Sequence, residues 1–162
     1  MLDIQKILIA LNKINVRYVV IGGTAAIAHG SVHLTFDFDI CYARDKENLN
    51  NLVKAITPFH PHLRGAPKDL PFIFDAKALN SGLNFTLSTD AGDIDLIGEL
   101  SGIGQYAEVI KYSEKLQIYD TECYILTLEG LIKDKKHTRR PKDLRLLTEL
   151  EALLQIKRLK IY

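Results

Sequence analysis

RYVVIGGTAAIAHGSVHLTFDFDICYA, residues 17–43, holds two strand-like runs separated by a glycine turn and a short helix-like segment. RYVVI (17–21) is a run of β-branched and aromatic residues, the composition of a buried strand. Gly22 and Gly23 end that strand, and TAAIAHG (24–30) reads as a short, tightly packed helix closed by Gly30. A second strand fits TFDFDICYA (35–43), in which apolar and acidic residues alternate. Alternate side chains of a strand share a face, so Asp37 and Asp39 point one way. Phe36, Phe38 and Ile40 point the other way, and these, with Tyr18, are expected in the core.

Working outward, Ile4, Ile7, Leu8, Leu11 and Ile14 follow helical spacing upstream of the first strand. Downstream, KENLNNLVKAITPF (46–59) fits a helix with Leu49, Leu52, Val53 and Ile56 on one face. HPHLRGAPKDLP (60–71), with three prolines and a glycine, reads as a loop. LNFTLST (83–89) and GDIDLIG (92–98) read as two strands joined by a turn at Asp90–Gly92. KLQIYD (115–120) and CYILTL (123–128) are further candidate strands. Two helices follow, 129–136 and 143–156, the second with Leu146, Leu147, Leu150, Leu153 and Leu154 as its apolar stripe. The mixed order of helices and strands predicts an α/β or α+β fold around a small central sheet.

The chain of 162 residues has room for one domain with a real core, and is short for two. A formal net charge of +1 excludes a polycation built to coat nucleic acid. Cys41 and Cys123 stand in no ligand-like spacing, which fits reduced thiols and a cytoplasmic setting. No uncharged apolar run approaches the roughly 18–20 residues of a membrane span, so no membrane partner is expected.

The chemistry begins with Asp37 and Asp39. Two carboxylates side by side repel each other unless a cation lies between them. Such oxygen sites suit Mg²⁺, which keeps part of its coordination for water and substrate phosphates. The plain alternative is an alternating strand with two acids on a solvated face. The Gly22–Gly23 turn lets backbone approach a ligand closely, and Thr24 offers a hydroxyl to a phosphate oxygen or to a helix cap. Longer glycine fingerprints are absent from the sequence, with GIGQYA (102–107) meeting only a loose form, so dinucleotide and P-loop readings lose. Asp95 lies between Ile94 and Leu96, where an unpaired charge is costly. If its strand neighbours 35–43, Asp95 completes a three-carboxylate cluster. Asp93 shares its face and is its rival, although beside Gly92 it also suits a turn.

In this order and spacing the motifs resemble the DNA polymerase β-like nucleotidyltransferase superfamily, and within it small bacterial proteins related to abortive-infection (AbiEii-type) toxins. The resemblance is carried by Gly22, Gly23, Ala25, His29, Gly30, Thr35, Asp37, Asp39, Gly92, Asp95 and the run Arg140, Pro141, Lys142, Asp143. It implies a minimal nucleotidyltransferase fold in one domain, with 128–162 as a C-terminal helical extension. It further implies that Asp37, Asp39 and Asp95 are catalytic carboxylates holding two Mg²⁺ (or Mn²⁺) ions. Gly22, Gly23, Thr24, Lys135 and Lys142 would bind the nucleotide. The implied reaction transfers a nucleoside monophosphate from an NTP, such as ATP, to RNA, a protein or a small molecule, releasing pyrophosphate. A toxin–antitoxin pairing would supply a partner protein. A catalytically inactive nucleotide- or partner-binding module is the alternative.

One departure stands out: His33 occupies the place where the family usually has Arg, four residues before Asp37. A neutral imidazole lacks the forked, permanent charge of a guanidinium. The basic run 133–145 holds seven Lys or Arg against two Asp, a local charge of +5. It suits triphosphate or an RNA acceptor, or else is a solvated helix–loop–helix joint with Pro141 and Asp143 in the second helix's first turn. His29 reads as a packed helix-end residue, and His60 and His62 as weak metal candidates.

Overall fold

A computed structural model of the chain describes residues 1–67 and 69–160. Lys68, inside the segment expected to be a loop, lies outside the described residues, as do Ile161 and Tyr162 at the end of the expected helical extension. The first helix, α1 (Ile4–Lys13), is capped by Asp3, whose carboxylate accepts from the Lys6 amide. Its spacing buries Ile7, Leu8 and Leu11, as the periodicity predicts. Strand β1 (Tyr18–Ile21) is buried at every position and runs into α2 (Gly22–Ala28), then β2 (Asp37–Tyr42) and α3 (Lys46–Ile56). A 3₁₀ turn covers Thr57–Phe59, and β3 is only His62–Leu63. Then come α4 (Ala76–Ser81), β4 (Asn84–Thr89) and β5 (Gly92–Ile97). A small hairpin of β6 (Glu99–Leu100) and β7 (Gly104–Gln105) leads to α5 (Tyr106–Val109). Strands β8 (Ser113–Ile118) and β9 (Thr121–Leu126) precede α6 (Leu128–Thr138) and α7 (Pro141–Leu159).

Among the described residues, seven strands form one mixed sheet in the order β3-β4-β5-β2-β1-β9-β8. β2 lies antiparallel to β1 and parallel to β5. The α/β expectation therefore holds, with helices flanking a mixed sheet. Phe38 and Ile40 of β2 and Ile94 and Leu96 of β5 are fully buried. Leu150 of α7 joins the same core, with Leu146, Leu147, Leu153 and Leu154 packed against it.

Four expectations need correction. The segment read as a loop at 60–71 contributes an edge strand, because His62 and Leu63 pair with Ser88 and Leu87. Phe36, expected in the core, is 80% exposed. The ladder with β5 begins only at Asp37, so Phe36 precedes the paired part of β2. Helix α2 begins at Gly22 rather than Thr24, and its N-cap is Ile21 without a side-chain bond, so Thr24 caps nothing. Short elements at 76–81 and 99–109 were not foreseen, being too brief to carry a period. Among the described residues, no helix is long and apolar enough to cross a membrane.

Candidate active site

The two acidic strands are neighbours, and their register sets Asp37 opposite Asp93 and Asp39 opposite Asp95. Since the ladder is parallel and in step, all four carboxylates rise from one face of the sheet. Asp37, Asp39 and Asp95 each offer an oxygen within 4.8 Å of the others. Asp93 shares the face but stands outside that trio.

Gly22 follows Ile21, the register partner of Asp39. Its φ is +64°, and a Cβ built there would lie 2.3 Å from Asp39 Oδ2. Both facts demand glycine: the backbone is in the left-handed region, and a carboxylate lies against it. At Gly23 a Cβ would meet Thr35 Oγ1 at 2.8 Å. Thr35 in turn donates to the Asp37 carbonyl at 2.9 Å, tying the return segment to the start of β2.

Burial is the main force on Asp39, raising its carboxyl to about 8, with the charges of Asp37 and Asp95 acting in the same sense and Lys135 opposing them. One of its oxygens, Oδ1, is buried and has no hydrogen-bond partner among the described residues. A buried polar atom without a partner is costly. Three hard oxygen donors around such an atom fit a divalent cation of the Mg²⁺ or Mn²⁺ kind. Burial also raises Asp95 above the usual carboxylate range, although Arg64 beside it pulls the other way.

Arg64 is the residue that sequence reasoning missed. It leaves the end of β3 and sends Nη2 to Asp95 Oδ1 at 2.8 Å, Nε to within 3.3 Å of Asp93 Oδ2, and Nη1 to within 3.9 Å of Asp37 Oδ2. The Asp95 contact is a directed hydrogen bond; the Nε approach is an ion pair without hydrogen-bond direction. Nothing in a proline-rich loop 31 residues upstream of Asp95 announces that pairing.

The carboxylates open into a cleft of about 630 Å³, lined also by Gly22, Gly23, Thr35, Asp134, Lys135 and Lys142. Lys135, 14% exposed, sits 3.3 Å from Asp143 Oδ1. Asp143 is itself almost fully buried and accepts from the Arg140 side chain and amide and from the Thr138 hydroxyl. Burial works to raise its carboxyl, but the bonds from Arg140 and Thr138 and the Lys135 charge hold it well below the usual range. The α6–α7 joint is thus a built scaffold that carries Lys135 into the cleft. Lys142 is exposed and makes no ion pair among the described residues. His33 also lines the cleft and pairs with Glu149 at 2.7 Å.

Thr24 belongs elsewhere. It lines a larger, mainly apolar cavity of about 990 Å³ between the start of α1, α2 and the β8–β9 turn, and its buried hydroxyl has no partner among the described residues. Leu34 and Thr35 line both cavities. His29 is a packed residue whose Nε2 lies 2.8 Å from the Leu126 carbonyl oxygen. His60 pairs with Asp90, and His62 is an exposed residue of β3.

No family model matches the chain, and no curated protein does. Solved structures do. The crystal structure of ANT(2'')-Ia in complex with adenylyl-2''-tobramycin aligns with a TM-score of 0.57 at 15% identity, covering 98% of this chain and 97% of that one. The solution structure of the antibiotic-resistance factor ANT(2'')-Ia gives 0.58 at 16%, covering 97% and 90%. A Thermotoga maritima protein classed as a nucleotidyltransferase gives 0.52 at 16%, covering 97% and 88%. The likeness is one of fold: this chain has the architecture of nucleotidyltransferases along nearly its whole length.

Proposed function

We propose that this protein is a metal-dependent nucleotidyltransferase, transferring a nucleoside monophosphate from an NTP to a hydroxyl-bearing acceptor. The observation that carries the reading is the convergence of Asp37, Asp39 and Asp95 from two adjacent strands, one buried oxygen of the trio lacking a partner among the described residues. The fold neighbours support it, one of them being bound to adenylyl-2''-tobramycin, a nucleotidyl group joined to a small molecule.

Asp37, Asp39 and Asp95 would hold Mg²⁺ or Mn²⁺, two ions in the fullest form of the scheme. When bound, divalent ions neutralise triphosphate charge and favour ionisation of an acceptor hydroxyl. The chain's own residues divide the remaining work. The Gly22–Gly23 backbone, free of side chains, lets phosphates approach Asp39. Lys135, fixed by Asp143, offers a positioned charge to the triphosphate, and exposed Lys142 offers a mobile one. The acceptor oxygen forms a bond to the α-phosphorus, the α–β bridging P–O bond breaks, and pyrophosphate leaves with that electron pair. The acceptor's proton passes to the Asp95 carboxylate, which stands beside the other two acids of the cluster.

Incubation with labelled NTP and Mg²⁺ against RNA, protein and small-molecule pools tests the reading. Transfer that disappears in Asp39→Asn is expected. Tight nucleotide binding without transfer to any pool, in the presence of Mg²⁺ or Mn²⁺, would instead establish the inactive binding module.

A further inference from the structure

The guanidinium of Arg64 contacts three of the four acids on the sheet face, and two of these belong to the trio read above as metal ligands. The third, Asp93, does not. We propose that Arg64 is the site's built-in counter-cation, and that a divalent ion loads in competition with it. This rests on the metal-binding reading of Asp37, Asp39 and Asp95.

The position of Arg64 is set by backbone. Its amide donates to the Thr86 carbonyl at 3.0 Å, and Nη2 donates to the Leu87 carbonyl at 2.8 Å. The side chain therefore crosses β4 to reach β5 and arrives where like charges would otherwise face one another. The buried Oδ1 of Asp39 has no partner among the described residues. An ion held by Asp39 must share the Asp37 and Asp95 carboxylates with Arg64, and two cations drawn to the same carboxylates repel. Asp93 gives the guanidinium a carboxylate to keep when Asp95 turns to the ion. This accounts for an acid that stands on the site face yet outside the trio.

The test is Mn²⁺ titration of nucleotide-free protein, followed by calorimetry or electron paramagnetic resonance, on wild type, Arg64→Gln and Arg64→Lys. Circular dichroism and thermal unfolding report that each is folded. Arg64→Gln should bind Mn²⁺ more tightly by on the order of tenfold. Arg64→Lys keeps the charge but loses the fork, and should tighten binding only about threefold. Should the Gln variant not fold, the Lys variant carries the test. Unchanged or weaker Mn²⁺ binding in folded variants overturns the competition. A parallel NTP titration that shows lost NTP affinity with Mn²⁺ binding unchanged would mean that Arg64 binds phosphate instead, and also overturns it. Mn²⁺ binding by none of the proteins overturns the metal reading itself, so the two failures are distinguishable.

Discussion

Consider Asp39→Asn in protein stripped of divalent ions. Asp39 shares the cluster with Asp37 and Asp95, whose oxygens lie within 4.8 Å. At an effective dielectric constant near 20, each such pair costs about 3 kcal/mol when both are ionised. Arg64 offsets part of this through Asp95 and Asp37. Because the Asp39 carboxyl is raised from 3.8 to about 8 by burial and then by its acidic neighbours, the folded state holds a proton that the unfolded chain has released. The group's contribution is therefore fully present below about pH 4 and is lost as pH rises through about 8. The ceiling on that loss is on the order of 5 kcal/mol, and coupling with Asp95 brings the expected value to about 2–3. Asn cannot ionise, so the variant keeps this stability at high pH. Thermal unfolding in a chelator should show the variant gaining about 5 °C or more on wild type between pH 5 and pH 9. Added Mg²⁺ should raise the melting temperature of wild type at pH 8 and leave the variant almost unmoved. A variant that loses ground on wild type at pH 9, or is stabilised by Mg²⁺ as strongly as wild type, would refute this account of the cluster.

Four further substitutions probe the rest of the site. Asp143→Asn removes the buried partner of Lys135 and Arg140 and should cost about 3 kcal/mol at pH 7 in denaturant unfolding. The native Asp143 carboxyl is held low, so its contribution is present above about pH 4 and is lost in acid as pH falls through its folded value, closing the gap between variant and wild type. Gly22→Ala meets Asp39 Oδ2 and a left-handed backbone at once, and should destabilise by 1 kcal/mol or more while weakening Mg²⁺ stabilisation in the same melting assay. Lys142→Ala should raise the KM for NTP several-fold with no change in melting temperature, because Lys142 is exposed and unpaired among the described residues; Lys135→Gln should raise KM and lower stability together, because Lys135 is braced against Asp143.

Much of this was legible because it is local. Alternation in TFDFDICYA puts Asp37 and Asp39 on one face whatever lies beside them, since successive strand residues must point oppositely. The same rule holds Phe38 and Ile40 in the core. The glycine pair was read as room for a ligand, and the structure shows what already lies against it: the Asp39 carboxylate at Gly22 and the Thr35 side chain at Gly23. What failed was the edge of each local rule. Phe36 obeys the alternation of β2 but lies one residue before its pairing with β5 begins, so nothing covers it. Thr24 stands next to the glycines in sequence, yet the helix begins two residues earlier than expected and Thr24 lines the other cavity.

Residues 17–43 and GDIDLIG specify locally two acidic strands, their inward and outward faces, and a glycine turn before a short helix. Periodicity acts within a segment and needs no knowledge of its neighbours. That β2 and β5 lie side by side, parallel and in step, which puts four acids on one face, comes from the assembled sheet. Tertiary packing alone brings Arg64 across β4 to Asp95, and Asp143 beneath Lys135. Those contacts depend on strand order and helix docking, which are set by the burial of the whole core. A charge pair formed between distant segments leaves no periodic trace in either.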